Sequence, residues 1–245
     1  MSRAGWRGLL GAVLLLALWE GLARGLALPA YTLPAISHIL AAVWTHRALL
    51  LQAGGYTFAE ATLGYGIGCT LGIGMAVLLV LLPWARRVVM PAMLAINSVP
   101  VAAWSPLELL WLGIGMSSKV AMVALAVGFT LFLSALAGFD RQDRRAADLM
   151  RSFGAGPFAL LWRLRLPAAL PLIAAGMRVA TVRSLIVAIV TEMLGAQGGL
   201  GWIIYQAVVQ IDFVQVWSAI IVASALSLGF FGAVGWAERR LIFWR

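Results

Sequence analysis

Charged residues are scarce in this chain of 245 residues, of which only 11% are Asp, Glu, Lys or Arg. A soluble domain carries about 25% charged residues, which cover its surface. With 63% hydrophobic residues and a mean hydropathy of +0.97, this chain must place most of its surface against lipid. The composition therefore excludes an ordinary soluble domain and predicts an integral membrane protein.

Residues that carry catalysis and metal binding are few as well. Cys69 is the only cysteine, which excludes an internal disulfide and a thiolate metal site. His38 and His46 are the only histidines, and no carboxylate pair lies near them at metal-ligand spacing. A phosphate-binding loop ending in Gly-Lys-Ser/Thr is absent, since the single lysine is Lys119. We therefore expect this chain to be no enzyme and to hold no cofactor or metal itself.

Six apolar runs reach the length of about 20 residues that a transmembrane helix needs. Lipid offers the backbone no hydrogen-bond partner, so the runs predict an all-α bundle. The third run is interrupted by three prolines, an asparagine and a glutamate. The predicted spans are Gly8–Leu28, Phe58–Leu82, Val88–Leu112, Ser118–Phe139, Ala168–Val190 and Val216–Ala237.

The first run has an alternative interpretation. Arg3 and Arg7 ahead of Leu9–Leu18 resemble the start of a secretory signal. No convincing small-x-small cleavage site follows before Pro29. We therefore expect this run to remain as an uncleaved first span.

Basic residues collect on one side of the predicted spans. Cytoplasmic loops are enriched in Lys and Arg, so this side is predicted to be cytoplasmic, together with both termini. Arg24, Arg47 and Lys119 fall on the opposite side, which we expect to be periplasmic, in a multi-pass protein of a bacterial inner membrane. The residues on the basic side are Arg3, Arg7, Arg86, Arg87, Arg141, Arg144, Arg145, Arg151, Arg163, Arg165, Arg239, Arg240 and Arg245.

Shorter patterns predict helices in two connections and a close helix contact. Pro29–Thr57 contains an amphipathic pattern starting near Pro34, and Thr191–Gln215 contains a glycine-rich turn followed by a short apolar helix. Small residues at intervals of four in the second span predict that another helix packs closely against it. These small residues are Gly64, Gly68, Gly72 and Ala76.

The basic-side segment Asp140–Pro167 is predicted to be a helix, a glycine turn and a second helix. Asp140 or Asp143 can cap the first helix, and Gly154 stands where it would end. Pro157 can open the second helix, which Pro167 is expected to end. Spacing alone leaves two interpretations open: a rigid knob that docks on a soluble partner, or an amphipathic helix lying on lipid headgroups.

This segment resembles the EAA loop of binding-protein-dependent ABC importer permeases. Asp148 matches the Glu position of that motif, Gly154 its glycine, and Leu166 and Pro167 its closing pair. Leu149 and Met150 depart from the motif, because they replace its two alanines. The resemblance implies that the loop, including Arg151 and Ala155, forms coupling helices that dock on an ATP-binding subunit.

Further motifs resemble one subfamily, which includes permeases for aliphatic sulfonates, taurine and nitrate and importers of thiamine precursors. The stretches that carry this resemblance are Ser98–Pro100, Trp104–Pro106, Leu110–Gly115, Leu166–Pro171, Gly176–Arg178, Glu192–Ala196 and Gly198–Gly201.

The subfamily implies a six-transmembrane-helix type I ABC importer bundle with a cytoplasmic coupling loop. Its domains would be an N-terminal helix and periplasmic amphipathic segment (1–55), the permease domain (56–237) and a cytoplasmic tail (238–245). The implied partners are two ATP-binding subunits holding ATP and Mg²⁺, a second permease chain forming a homodimer, a periplasmic solute-binding protein and the bilayer, with no nucleic acid.

Two arginines inside the fifth span, Arg178 and Arg183, are candidates to line the substrate path. A charge at helix-centre depth costs about 2.5–3.5 kcal/mol, so it usually faces a cavity or a partner. The alternative is that either arginine pairs with a carboxylate or extends to the interface. Asn97, Ser98 and Trp104 are candidates as well, because broken helices line sites in transporters. A simple packing kink is the alternative for these three.

The resulting hypothesis is a permease for a small organic anion, such as an aliphatic sulfonate or taurine, or for nitrate. A thiamine-precursor pyrimidine is an alternative cargo, and an ion-coupled secondary transporter is an alternative class. Ion coupling is disfavoured because the acidic residues are predicted at span ends, with Glu60 near the outer start of its helix. Glu108 and Glu192 are expected near the outer side, as ion-pair partners or binding-protein contacts.

Overall fold

The computed structural model describes residues 3–26, 29 and 31–241, and every regular element in this part of the chain is a helix. A 3₁₀ turn, Pro83–Ala85, precedes α4, and a π-helical segment, Leu161–Arg165, joins α8 to α9. The helices are α1 (Arg3–Gly25), α2 (Ile36–Thr45), α3 (Arg47–Leu81), α4 (Arg86–Ser98), α5 (Val101–Leu112), α6 (Met116–Asp140), α7 (Arg144–Ser152), α8 (Pro157–Leu160), α9 (Leu166–Gly195), α10 (Leu200–Val209) and α11 (Phe213–Leu241).

Four helical stretches in the described residues are long and apolar enough to cross a membrane. They are α3, α6, the continuous stretch Pro157–Gly195 and α11, and the bent pair of α4 and α5 would make a fifth. The helix α1, with 23 residues, matches the first predicted span in position, although the predicted end at Leu28 lies outside the described residues. The prediction of an all-helical membrane bundle is confirmed.

The centre of the bundle is α6, which packs against α3 on one side and α9 on the other. A Cβ atom added at Gly64 would lie 2.5 Å from the Cβ of Val123, and one at Gly68 would lie 2.7 Å from the carbonyl oxygen of Ala124. Backbones this close exclude any side chain at these positions and gain dispersion energy that lipid cannot offer. The close helix contact predicted from the spacing of small residues is therefore confirmed.

The second span begins earlier than the sequence predicted, at Arg47 rather than Phe58. Gly54 and Gly55 disfavour a helix by propensity, so local preference gives no reason to extend the helix toward Arg47. In the structure, Leu50 and Ala53 are buried against α10 and α11, and this packing keeps the added turns helical. The predicted amphipathic helix before it exists as α2, in which Ile39 is buried and Leu40 is exposed.

The prediction that Pro167 ends a helix is wrong. Helix continues without a break from Pro157 to Gly195, beyond the predicted end of the fifth span at Val190. A proline in a helix removes one backbone hydrogen bond and crowds the preceding turn. The wider π-helical segment Leu161–Arg165 lies directly before Pro167, where it relieves that crowding. One continuous helical stretch, Pro157–Gly195, therefore connects the basic-side segment to the opposite end of the bundle.

The third predicted span is two helices, α4 and α5, that meet at an angle of 95°. The break lies at Val99 and Pro100, where the backbone of Val99 is extended. A residue before proline is pushed out of the helical region, and proline has no N–H to continue the hydrogen-bond ladder. The interruption predicted from the prolines is confirmed.

Candidate substrate path and coupling site

A cleft bounded by α4, α5, α6 and α9 brings together three of the five residues predicted to line a path. Arg183 from α9, Asn97 at the end of α4 and Trp104 in α5 all face it, and the Nη2 group of Arg183 donates a hydrogen bond of 3.2 Å to Oδ1 of Asn97. The other walls are apolar: Met93, Ile96, Val99, Val101, Met122, Leu125, Ala126 and Phe129.

The cleft combines one cation with apolar walls. A guanidinium has five N–H donors, and in the described part of the chain Arg183 uses one of them, toward Asn97. Apolar walls lower the local dielectric constant, so a partly buried cation there attracts an anion more strongly than it would in water. The break after Ser98 places Asn97 at the cleft, because α4 ends there and α5 turns away.

Ser98 and Arg178 lie outside this cleft. The hydroxyl of Ser98 donates to the carbonyl oxygen of Ala95 at 2.7 Å, within its own helix. The Nε atom of Arg178 lies 2.8 Å from Oε2 of Glu238 on α11, and its guanidinium stacks 5.6 Å from the ring centre of Phe231. Of the alternatives weighed for Arg178, the contacts match pairing with a carboxylate.

The predicted helix, glycine turn and second helix are present in the basic-side segment. The carboxylate of Asp143 accepts a hydrogen bond from the backbone N–H of Arg145 at 2.9 Å and so caps α7. Gly154 ends that helix with φ +80°, a conformation that glycine adopts without steric cost. Pro157 opens α8, as predicted.

This segment exposes apolar side chains at its surface. One ion pair and one hydrogen bond hold its base. Leu149 is 59% exposed and Phe153 83% exposed, whereas Ala147 of the same helix is buried. Asp148 pairs with Arg151 at 2.9 Å on the outer surface of α7. At the base, Arg86 forms two hydrogen bonds with Asp140, of 3.0 and 2.7 Å, and Arg165 donates to Gln142 at 2.8 Å. Ala155 and Gly156 border a polar groove against the end of α3.

A buried group of polar side chains at the opposite end was not recognised from the sequence. We call it the outer polar cluster, and it consists of Thr57, Glu60, Glu108, Lys119 and Glu192, all of them 4% exposed or less. The sequence placed Glu60 and Glu192 near span ends because α3 and α9 were predicted too short. The signal that could have identified the cluster is Glu192 followed within nine residues by Gly195, Gly198, Gly199 and Gly201.

The fold is a helical membrane bundle with an arginine in an apolar cleft. At one end, a helical segment exposes the apolar side chains of Leu149 and Phe153. Residues 68–243 match the family model described as binding-protein-dependent transport system inner membrane component. The chain belongs to this family, the permease components of ABC importers, in which a separate ATPase partner hydrolyses ATP and a binding protein delivers the solute.

Relatives of this chain are also named as permeases, but their names give different transported solutes. A protein of Haemophilus influenzae named as an ABC transporter permease is 31% identical over 94% of both chains. A formylaminopyrimidine transport permease of Halalkalibacterium halodurans is 30% identical, covering 95% of this chain and 93% of its own. A protein of Escherichia coli named as a putative aliphatic sulfonates transport permease is 31% identical, covering 71% of this chain and 67% of its own.

Among solved structures, an amino acid ABC transporter bound to histidines superposes with a TM-score of 0.66 at 18% sequence identity, covering 82% of this chain and 97% of that one. At this identity the likeness concerns the fold, which is that of type I ABC importer permeases. It agrees with the fold predicted from the sequence.

Proposed function

We propose that this chain is the permease subunit of an importer that carries a small organic anion across the inner membrane. Aliphatic sulfonates and taurine are the class we favour, with nitrate as a smaller anion of the same charge. The observation that carries the proposal is Arg183 in the apolar cleft, where its hydrogen bond to Asn97 uses one of its five N–H donors and leaves the others for a solute. The sulfonate relative supports the same class.

Two copies of the chain are expected to enclose the path. Arg183 is partly exposed in a single chain, and an arginine facing lipid at that depth would cost about 2.5–3.5 kcal/mol. A second permease packed across the cleft of α4, α5, α6 and α9 would remove that cost and close the cleft into a path. This supports a homodimer, with one ATP-binding subunit beneath each copy.

The segment Asp140–Pro167, which we call the coupling site, would transmit the motion of the ATPase through one rigid helix. Leu149 and Phe153 are suited to insert into a groove of the ATP-binding subunit, since exposed aromatic anchors dominate docking surfaces. The helix continues without a break from Pro157 through Leu166 and Pro167, the first residues of α9, and α9 carries Arg183. Docking of the ATPase would place ATP and Mg²⁺ outside this chain.

The proposed orientation has both termini and α7 in the cytoplasm. The arginine-rich loops support it through the positive-inside rule. The binding protein would then dock at the opposite end, beside the turn between α9 and α10. A pocket there offers it amide and aromatic contacts from Gln52, Tyr56, Gln197, Trp202, Gln206 and Gln215, beside apolar residues.

A planar heterocycle such as a thiamine-precursor pyrimidine is the second candidate cargo. Trp104 offers the cleft an aromatic face and Asn97 an amide that can pair with ring nitrogens. The formylaminopyrimidine relative covers nearly the whole chain at an identity similar to that of the sulfonate relative. Identity to relatives therefore does not choose between the two cargoes.

Uptake measurements on the purified complex, reconstituted in liposomes with its ATPase and binding protein, test the proposal. We expect ATP-dependent uptake of labelled taurine or an alkanesulfonate by the wild type, loss of uptake in Arg183→Gln, and partial uptake in Arg183→Lys, which keeps the charge. Uptake of an aminopyrimidine that is insensitive to Arg183→Gln would contradict the anion proposal and support the second cargo. Uptake driven by an ion gradient without ATP would contradict both.

A further inference from the structure

The carboxylate of Glu192 closes the outer end of the bundle by binding the start of α10. Its Oε2 atom accepts the backbone N–H of Gly201 at 2.7 Å, and its Oε1 atom accepts the hydroxyl of Thr57 at 2.7 Å. Thr57 accepts in turn the N–H of Leu200 at 2.8 Å. The first amides of a helix have no partner inside it and carry partial positive charge, so they stabilise an ionised carboxylate.

The glycines between α9 and α10 leave the room that this carboxylate occupies. A Cβ atom at Gly201 would lie 2.7 Å from the Cβ of Glu192, and one at Gly199 would overlap the carboxyl group itself. Gly199 also has φ +93°, which disfavours any other residue. The glycines therefore have two roles: they allow the turn, and they allow the carboxylate of Glu192 to come close to the backbone.

Lys119 secures the other side of the same turn. Its ammonium group donates to the carbonyl oxygen of Gly195, the last residue of α9, at 2.6 Å, and to the hydroxyl of Ser118 at 3.0 Å. Glu108 of α5 lies 3.7 Å from that ammonium group. The charges of Lys119 and Glu108 compensate each other, and the amides of α10 compensate Glu192.

Glu60 is the carboxylate of the cluster that has neither a hydrogen bond nor an ion-pair contact among the described residues. Its side chain is completely buried, and no donor among the described residues binds either carboxyl oxygen. Thr57, about one turn before Glu60 on α3, binds the carboxylate of Glu192, so the buried carboxyl groups of Glu60 and Glu192 are neighbours in the cluster. Two ionised carboxylates cannot bond to each other, and an isolated buried carboxylate is strongly unfavourable. A proton on Glu60 resolves both difficulties, because the acid can then donate to Glu192.

We propose that Glu60 and Glu192 form a proton-binding site at the outer end of the bundle, with the proton on Glu60 and shared toward Glu192. The other titratable groups that face the pair are Tyr56 on α3, Glu108 on α5 and Lys119 on α6. In the described part of the chain, α10 and α11 present no ionised side chain to it. This proposal depends on the contacts within the cluster and is independent of which solute the permease carries.

The proton links α3 to α9 and α10 and makes the closed outer end sensitive to pH. If the turn between α9 and α10 moved away from α3, water would reach Glu60 and the acid would ionise. The arrangement in the structure therefore binds a proton that an opened arrangement releases. By linkage, acid on the outer side favours this arrangement and alkali weakens it.

Infrared spectroscopy of the full-length permease in lipid nanodiscs tests the site without any transport assay. Exposed glutamates ionise above about pH 4.3. We expect the carbonyl band of a protonated carboxylic acid to persist in the wild type at about pH 7 and to be lost in Glu60→Gln. Asp212→Asn, a control at an exposed carboxylate of the same end, should leave the band unchanged. Absence of the band in the wild type, or its persistence in Glu60→Gln, would overturn the proposal.

A second measurement covers the possibility that the amide variant folds poorly. The melting temperature of the wild type should fall as the pH is raised above neutrality, because a proton that the folded arrangement holds more tightly than the unfolded chain stabilises the fold less at high pH. Glu60→Gln has an uncharged donor at the same position, so the part of this fall due to Glu60 should disappear. A fall of equal size in both proteins would overturn the proposal. If the variant cannot be purified, absence of the infrared band from the wild type would still overturn it.

Discussion

Arg183 and Asn97 come from helices far apart in sequence, and the side chain of Arg183 donates a 3.2 Å hydrogen bond to that of Asn97 inside an otherwise apolar cleft. The contact exists because α4 ends at Ser98 and α5 leaves at an angle of 95°. Asn97 is neutral, so it positions the guanidinium without cancelling its charge. The pair therefore leaves a positioned cation for a solute.

Replacing Asn97 by Asp should cancel that cation. A carboxylate at 3.2 Å would form an ion pair with Arg183 in a region of low dielectric constant and compete with an anionic solute. We expect the apparent affinity for an alkanesulfonate in reconstituted uptake to fall by at least about tenfold, which corresponds to about 1.4 kcal/mol. Ser98→Ala, a neighbouring change outside the cleft, is the control and should leave uptake unchanged. Unchanged affinity in Asn97→Asp would show that the solute does not meet Arg183.

Gly68→Ala should destabilise the bundle, because its Cβ atom would lie 2.7 Å from the carbonyl oxygen of Ala124 and 2.8 Å from the Cβ of Val127. Overpacking of this kind costs about 1–3 kcal/mol. Gly66→Ala on the same helix meets no atom within 4 Å and should stabilise by a fraction of a kcal/mol through helix propensity. Thermal unfolding in detergent measures both. Equal melting temperatures for the two variants would mean that α3 and α6 do not pack as described.

Gly201→Ala should loosen the start of α10 from Glu192. The added methyl group would overlap the carbonyl oxygen of Ile189 and lie 2.7 Å from the Cβ of Glu192, so the start of α10 must shift away from α9 and from the carboxylate. We expect faster amide hydrogen exchange over residues 199–204, because the first amides of α10 lose their acceptors. The matched control is Gly198→Ala in the same turn, where a Cβ atom meets nothing within 4 Å. Protection retained in Gly201→Ala and lost in Gly198→Ala would contradict the role given to Glu192.

The sequence predicted the features whose physics is local. The capping of α7 by Asp143, the glycine that ends it and the proline break after Ser98 depend on neighbouring residues, and these predictions were confirmed. Features that depend on tertiary packing were missed. The start of α3 at Arg47 is helical because Leu50 packs against α10 and α11, which no local propensity encodes.

The same distinction applies to the candidate site. The sequence singled out Arg183 and Asn97 separately, but their contact required the angle between α4 and α5. It placed Glu60 and Glu192 near span ends, since nothing local indicates that α3 and α9 extend past them. The continuity of helix through Pro167 was missed because it depends on the π-helical segment Leu161–Arg165, a backbone detail without a reliable residue signature.

The central claim, that α7 couples this permease to an ATPase, is tested most directly by purifying the tagged chain gently from its native membranes. Phe153 is 83% exposed at the tip of α7, so Phe153→Ala should weaken docking, and Gly154→Arg should abolish it by adding both bulk and strain at φ +80°. Trp111→Ala, an exposed aromatic residue at the other end, is the control. The account predicts that an ATP-binding subunit copurifies with the wild type and the control and is lost from Gly154→Arg. Recovery of the ATPase with all four proteins, or with none under several mild detergents, would contradict it.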